Sequence, residues 1–135
     1  MKELIEFLNQ SYTCYHAIKN IETKLQKNGF IKLMEKDEWQ LEKGHQYYII
    51  RNSSSIVAFK IPQQLETVGF HIVASHSDSP SYKLKPHPTI KDIKNKYTKL
   101  NTEGYGGMIA YSWFDRPLGI AGRIFVESEN KIKEI

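Results

Sequence analysis

The stretch from residue 68 to residue 88, VGFHIVASHSDSPSYKLKPHP, constrains the fold more than any other part of the chain. It opens with an apolar run, Val68 to Ala74, which predicts a strand covered on both faces, as in the centre of an α/β sheet. A polar segment with His76 and Asp78 follows. Because α/β sheets place their chemistry at the carboxyl ends of strands, we expect these side chains at a functional edge. Within the run, His71 is expected to be a buried or partly buried structural histidine.

The His76–Asp78 pair admits two interpretations. Histidine is the commonest protein metal ligand, and a carboxylate two residues away can hydrogen-bond its second ring nitrogen. An ordinary capped turn explains the same sequence, because the surrounding residues are common in turns: Ser75, Ser77, Ser79 and Pro80. On the motif alone the capped turn is the better interpretation, and a metal site needs support from the rest of the chain.

Composition places the chain among soluble globular proteins. The 135 residues are 40% hydrophobic and 25% charged, which suits one ordinary domain with a modest core. No apolar run approaches the length of a membrane span, and the opening MKELIEFLNQ carries acidic residues, so we expect neither a signal peptide nor a membrane anchor. Cys14 is the only cysteine, which excludes an intrachain disulfide and favours a reducing, cytoplasmic location.

The formal net charge of +4 is spread unevenly. Six lysines fall within seventeen residues: Lys83, Lys85, Lys91, Lys94, Lys96 and Lys99. A nucleic-acid-binding surface would need clustered arginines with interleaved aromatic residues. Here the lysines alternate with apolar residues such as Leu84 and Ile90, which is typical of solvated faces of amphipathic elements. We therefore expect no nucleic-acid partner.

The first third of the chain predicts two helices and a hairpin. Apolar spacing predicts helices over residues 2–10 and 14–28, the second begun by Ser11 or Thr13 and ended by a left-handed Gly29. Strands are predicted over residues 30–33, 46–51 and 55–60, with a polar loop at 35–44 and a hairpin turn of about three residues at 52–54.

The second half predicts further strands. An extended segment at residues 82–85 should lose regular pairing at Pro86 and Pro88. Residues 89–97 are polar and lysine-rich, which indicates a crossing between domains. Strands are then expected over residues 96–103, 107–114 and 118–126, with a turn at 115–117 in which Asp115 and Arg116 form a salt bridge.

Several blocks of the sequence together resemble one family. HSDSP is followed by KLKP and then by YGGMIAYSWFDRPLGIAGRI. LIEFLNQSYTCYHAIKNIETKLQKNGFIKLME at the start and WQLEKGHQYYIIRNSSSIVAFKIP before the apolar run match as well. In this order they resemble the M18 family of metalloaminopeptidases, the aspartyl-aminopeptidase relatives, over nearly the whole chain. The family usually carries prolines where this chain has Tyr12 and Cys14. His16 matches a family position, and we interpret it as a structural histidine.

The resemblance implies an α/β fold. Residues 1–88 would form part of a three-layer α/β/α zinc-aminopeptidase domain, and residues 89–135 the incomplete beginning of an inserted β-rich dimerisation domain. It also implies metal-dependent removal of N-terminal residues, acidic ones among them, from peptides, by a homo-oligomer with a two-zinc site. His76 fits the first zinc ligand and Asp78 the acidic residue counted as catalytic. The family places the other ligands and a base glutamate further downstream.

Four further acidic residues that could substitute occur singly, and no Glu-Glu pair follows His76: Glu66, Asp92, Glu103 and Asp115. His87 follows Pro86 in a segment that leads away from His76. One histidine and one carboxylate cannot close a zinc site, which needs three or four ligands. We therefore expect this chain to be inactive on its own. The alternative is a non-catalytic interaction module that pairs with a full-length aminopeptidase; a basic nucleic-acid-binding module ranks last.

Overall fold

The computed structural model describes residues 1–64, 69–91, 94 and 96–135. The chain divides into two units, the first formed by Met1–Asp78 with Ala121–Ile135 and the second by Ser79–Ile120. The chain thus leaves the first unit after Asp78 and returns to it at Ala121. The domain boundary expected at residue 88 stays a prediction.

The chain opens with two helices, α1 (Lys2–Gln10) and α2 (Cys14–Lys27), as predicted. Thr13, and not Ser11, begins α2, since its hydroxyl accepts a hydrogen bond from the His16 backbone N–H. The His16 ring nitrogen Nδ1 also lies 2.9 Å from that hydroxyl, which is the contact that a structural histidine at this turn would make. Neither helix, nor any other helix in the described part of the chain, is long and apolar enough to span a membrane.

Helix α2 ends in the left-handed glycine that the sequence predicts. Gly29 has φ +76°. Its N–H donates to the Gln26 carbonyl at 3.0 Å, and the next N–H, of Phe30, donates to the Leu25 carbonyl at 3.0 Å. These two bonds form a Schellman motif, which satisfies carbonyls that the helix end would otherwise leave open.

A three-stranded sheet follows the helices, with β1 (Ile31–Lys32), β2 (Gln46–Arg51) and β3 (Ser55–Lys60) in that order. β1 runs parallel to β2, and β2 pairs with β3 antiparallel from Gln46↔Lys60 to Arg51↔Ser55. The turn between them has positive φ at Asn52 and Ser53, as tight hairpin turns require, and its Ser54 N–H donates to the Arg51 carbonyl. The predicted hairpin is confirmed.

The core lies between α2 and β2. The buried apolar residues among those described are Ala17 and Ile18 of α2 and Tyr47 and Tyr48 of β2. The Tyr48 hydroxyl donates to Glu22 Oε1 and accepts from Gln26 Nε2, both at 3.0 Å. Burial, which disfavours the phenolate, is the main reason that the pKa of Tyr48 lies above its ordinary value of 10.0.

The predicted central strand is wrong for the residues that the structure describes. Val68, its first residue, lies outside them, and residues 69–74 form no strand. Phe70, Ile72 and Val73 are exposed, Val73 completely. His71 is exposed too, so the expectation of a buried structural histidine is also wrong. A strand needs hydrogen-bonding neighbours, and in the described part of the chain no other strand pairs with this segment.

The second unit is built on a hairpin of β4 (Ser81–Lys91) and β5 (Thr98–Tyr105). The two strands pair from Ser81↔Tyr105 to Leu84↔Thr102 and again from Thr89↔Leu100 to Lys91↔Thr98, with an irregularity between Leu84 and Thr89. The two prolines of β4 lie within that irregularity, because they have no N–H to donate. Residues 89–91 thus belong to a strand and not to a crossing segment, while the predicted crossing residues Asp92, Ile93 and Asn95 lie outside the described residues.

The strand expected over residues 107–114 is wrong. This part contains a 3₁₀ helix at Ala110–Trp113, and the Ser112 N–H donates to the Ile109 carbonyl at 3.1 Å. These bonds between near neighbours replace cross-strand pairing. Asp115 has φ +53°, in keeping with a turn, but the expected salt bridge between Asp115 and Arg116 is not found among the described residues.

The strand expected over residues 118–126 is wrong except at its end. β6 begins only at Phe125 and extends to Ser128, after an irregular stretch that contains Gly119 and Gly122. β6 pairs antiparallel with β7 (Lys131–Glu134) through a turn with positive φ at Glu129 and Asn130. This hairpin returns the chain to the first unit and was not predicted.

Candidate metal-binding site

The His76 ring is oriented by the residue two positions further on. Its Nδ1 lies 2.8 Å from the Asp78 carbonyl oxygen and 3.3 Å from the Asp78 carboxylate oxygen Oδ1. Because a carbonyl oxygen can only accept, Nδ1 must carry the hydrogen. In the neutral imidazole the other nitrogen, Nε2, then holds a free electron pair. The side chain is 80% exposed, so Nε2 is open to a ligand.

The segment that contains His76 and Asp78 is hydrogen-bonded to the β2–β3 turn. The Ser77 hydroxyl donates to the Ser54 carbonyl at 2.9 Å. His76 precedes and Asp78 follows this anchored serine, so one side-chain bond positions both. The expected capped turn is not found, because the described residues 75–80 form no turn. The contact between His76 and Asp78 would nevertheless fix the imidazole tautomer that a metal ligand needs, and the metal-ligand interpretation stays a prediction.

The described residues around His76 do not supply all the ligands that a zinc ion needs. A closed zinc site needs three or four ligands, and the described residues contain no group of three His, Cys, Asp or Glu side chains that could hold a metal ion. His87 lies on β4 and Glu103 on β5, in the second unit, while Glu66 and Asp92 lie outside the described residues. The residues present fit one nitrogen ligand oriented by the carbonyl and carboxylate oxygens of Asp78; they do not fit a complete zinc centre.

The first unit also has an open cavity of about 530 Å³, which is lined by Lys32, Glu35, Asn52 and Arg123 among others. Neither His76 nor Asp78 lines it. The cavity is therefore separate from the metal ligand that the sequence suggests.

Arg123 is a residue that the sequence analysis missed. Its Nη1 donates to the Asn52 carbonyl at 3.1 Å and to the Asn52 side-chain oxygen at 3.3 Å. Its guanidinium lies 4.3 Å from the centre of the Tyr15 ring, and the side chain is only 15% exposed. The available signal was a lone arginine within an apolar and glycine-rich run, GIAGRIF.

Comparison with protein families decides the relationship of the chain. The model of the Aminopeptidase I zinc metalloprotease family, M18, matches residues 7–135. The chain belongs to the M18 family.

Two curated relatives illustrate how much of the family this chain covers. A probable M18 family aminopeptidase 2 of Clostridium novyi is 43% identical over 129 residues, which are 95% of this chain and 30% of the relative. Aspartyl aminopeptidase 4 of Saccharomyces cerevisiae is 41% identical over 138 residues, covering 99% of this chain and 28% of the relative. The chain thus spans about a third or less of these M18 proteins.

Solved structures agree with the family at the level of the fold. The cryo-EM structure of the Ape4 and Nbr1 complex matches 98% of this chain with a TM-score of 0.91 and 39% identity. A structure of the S. cerevisiae mApe1 dodecamer matches 98% of it with a TM-score of 0.79 and 30% identity. They cover 26% and 32% of those chains, so the M18 α/β architecture is present as a portion of the whole.

Proposed function

We propose that this chain supplies the N-terminal part of a zinc-dependent aminopeptidase, with His76 as a zinc ligand and Asp78 as the carboxylate that orients it. The supporting observation is the contact of His76 Nδ1 with Asp78, at 2.8 Å to the carbonyl and 3.3 Å to the carboxylate, on a side chain that is 80% exposed. A hydrogen on Nδ1, which this contact requires, would leave Nε2 of the neutral ring free to bind a metal. Metal-bound histidines donate their second ring N–H to a carboxylate or carbonyl in this way. The M18 match supports zinc as the metal.

The chemistry of the whole enzyme follows from the family. Zinc, when bound, polarises the scissile carbonyl and activates a water molecule. Within this chain, His76 would hold the metal, and Asp78 would keep the imidazole in the tautomer that presents Nε2. Peptides with acidic N-terminal residues are the proposed substrates, since the similar protein of Saccharomyces cerevisiae carries the name aspartyl aminopeptidase. A cytoplasmic homo-oligomer is the proposed form; the dodecameric relative supports the oligomer, and the single cysteine favours the reducing compartment.

The test is a reconstituted enzyme. The chain, alone and co-expressed with a polypeptide that carries the remaining M18 ligands, is assayed with zinc on aspartyl, glutamyl and leucyl substrates. We expect no turnover from the chain alone, and turnover from the complex that His76→Ala abolishes. Asp78→Asn should lower zinc affinity by about tenfold to a hundredfold. His87→Ala, an exposed histidine of the second unit, is the matched control and should leave turnover unchanged. Full turnover with His76→Ala would overturn the proposal.

A second candidate is a non-catalytic module that pairs with a full-length aminopeptidase. Two observations favour it: the exposed apolar side chains of Phe70, Ile72 and Val73, and the absence of a three-ligand metal cluster among the described residues. Under this function the chain would bind the enzyme, and His76→Ala would change neither binding nor turnover. The same co-expression assay therefore separates the two candidates.

A further inference from the structure

The β2–β3 turn receives contacts from two segments that are far apart in the sequence. Ser77, beside the candidate ligand, donates its hydroxyl hydrogen to the Ser54 carbonyl at 2.9 Å. Arg123, just after the chain returns to the first unit, donates to the backbone and side-chain oxygens of Asn52 at 3.1 and 3.3 Å. Two residues of the same turn, Ser54 and Asn52, thus contact the His76 segment and the Arg123 guanidinium, respectively.

Arg123 is itself held firmly. The Tyr15 ring lies 4.3 Å and the Phe125 ring 5.1 Å from its guanidinium carbon, and the Glu134 carboxylate lies 3.8 Å from Nη1. Arginine suits such a position, because its planar group stacks on aromatic rings while its N–H groups remain free to donate. With 15% of the side chain exposed, the guanidinium has little room to move away from Asn52.

The turn has reason to need such support. Asn52 and Ser53 both have positive φ, at 49° and 55°. Non-glycine residues adopt this conformation at a cost, which surrounding contacts must offset. By binding both oxygens of Asn52, Arg123 stabilises the conformation that presents the Ser54 carbonyl to Ser77.

We propose that Arg123 is a positioning residue for His76, acting through the 52–54 turn and the Ser77 hydrogen bond. The guanidinium fixes the turn, the turn fixes Ser77, and Ser77 fixes the backbone on which the His76 ring meets Asp78. The functional meaning rests on the proposed role of His76 as a zinc ligand. The physical coupling between Arg123 and the His76 ring is a property of this chain alone.

The experiment measures the His76 tautomer by long-range ¹H–¹⁵N NMR on the metal-free 135-residue chain, at a pH where the imidazole is neutral. The variants are Ser77→Ala, Arg123→Met, Arg123→Lys and the Ser77→Ala/Arg123→Met double variant. Arg51→Met is the matched control. Like Arg123, Arg51 is an arginine with one carboxylate partner, Glu35. Its side chain is 76% exposed, however, and makes no hydrogen bond to the oxygens of Asn52 in the described structure.

We expect the Nδ1–H tautomer to dominate in the wild-type chain. Ser77→Ala should lower the Nδ1–H to Nε2–H ratio by about fivefold, the change expected from losing one hydrogen bond of ordinary net strength. Arg123→Met should lower it by about twofold, because it weakens that bond without removing it. Arg123→Lys should recover part of the ratio, and the double variant should fall no further than Ser77→Ala, since both changes act along one path.

A general loss of stability would have a different outcome. A wild-type ratio in a folded Arg123→Met chain, an additive effect in the double variant, or an equal effect in Arg51→Met would each overturn the proposal. Should Arg123→Met fail to fold, Arg123→Lys decides it, because lysine keeps the charge but loses the planar group that stacks on Tyr15. An unchanged ratio in a folded Arg123→Lys chain would then overturn the proposal. This readout needs no turnover, so it fails or succeeds separately from the zinc assay.

Discussion

The β2–β3 hairpin and residues 69–74 are both rich in residues that favour strands, yet only the hairpin forms them. QYYIIR and SIVAFK pair along their whole length, and Tyr48 of the first strand is completely buried. GFHIVA is equally apolar but has no strand beside it among the described residues, and Val73 is fully exposed. The difference is the distance to a partner: the hairpin brings its own, three residues away, whereas the second segment has none nearby. Residues that favour strands have side chains that pack well on a sheet, but a strand forms only where a neighbouring strand accepts its backbone hydrogen bonds.

The largest difference in stability should appear between two variants that each lose one aromatic ring, one from the hairpin and one from residues 69–74. Tyr48→Ala removes a fully buried ring and should lower the free energy of unfolding by about 3–5 kcal/mol. Phe70→Ala removes a ring that is almost completely exposed and should change it by no more than about 0.5 kcal/mol. Urea-induced unfolding measures both. A comparable loss in the two variants would show that the two segments are equally packed and would end the contrast.

An intermediate effect should follow from Tyr48→Phe, which keeps the ring but removes the hydroxyl between Gln26 and Glu22. The cost at neutral pH should be about 1 kcal/mol. Since the folded state raises the pKa of Tyr48 above 10.0, the unfolded chain loses this proton first as the pH rises. The contribution of Tyr48 to stability is therefore complete below about pH 10 and declines above it.

The measurement is urea-induced unfolding of the wild-type chain and the variant on both sides of about pH 10. The difference between the two should narrow at the higher pH. Tyr111→Phe, which removes an exposed hydroxyl of the second unit, is the control. A gap that widens with pH would contradict the buried, neutral phenol.

The smallest change in stability is expected for a substitution that alters the binding of a hydrophobic dye to the surface. Val73→Lys places a charge in the exposed apolar segment, so the binding of a hydrophobic dye should fall while the free energy of unfolding shifts by no more than about 0.5 kcal/mol. Val57→Lys makes the same substitution on β3, which is already paired. It should retain more dye fluorescence, and equal losses in both variants would erase the distinction between the two regions.

The features that sequence predicts well are those whose causes are local. Thr13 caps α2 through a hydrogen bond from a residue three positions on, and Gly29 ends it with bonds that reach back three and five residues. The His76–Asp78 contact joins residues two positions apart and was expected for the same reason. The catalytic and metal-binding roles of these two residues remain predictions.

The failures have non-local causes. Whether residues 69–74 become a strand depends on neighbours that their own sequence does not contain. The contact of Arg123 with Asn52 spans 71 positions, and no pattern in either neighbourhood indicates it. Between residues 107 and 114 the apolar composition favoured a strand, but hydrogen bonds within the 3₁₀ turn determine its shape. The turn of the β6–β7 hairpin has positive φ at Glu129 and Asn130, and its sequence carries only a weak hairpin signal, because Asn is favoured there but glycine is absent.

The hydrogen bonds of Ser77 and Arg123 to the β2–β3 turn also bear on which insertions this fold can tolerate during evolution. Ser77 and Arg123 fix the points at which the chain departs from and rejoins the first unit, on either side of about forty residues. The entropy cost of closing a loop grows slowly, by about 0.6 kcal/mol for each doubling of its length. Insertions of quite different length can therefore be accommodated between Ser77 and Arg123 at a small cost in entropy. The contacts that these two residues make with the β2–β3 turn, beside His76, need not change.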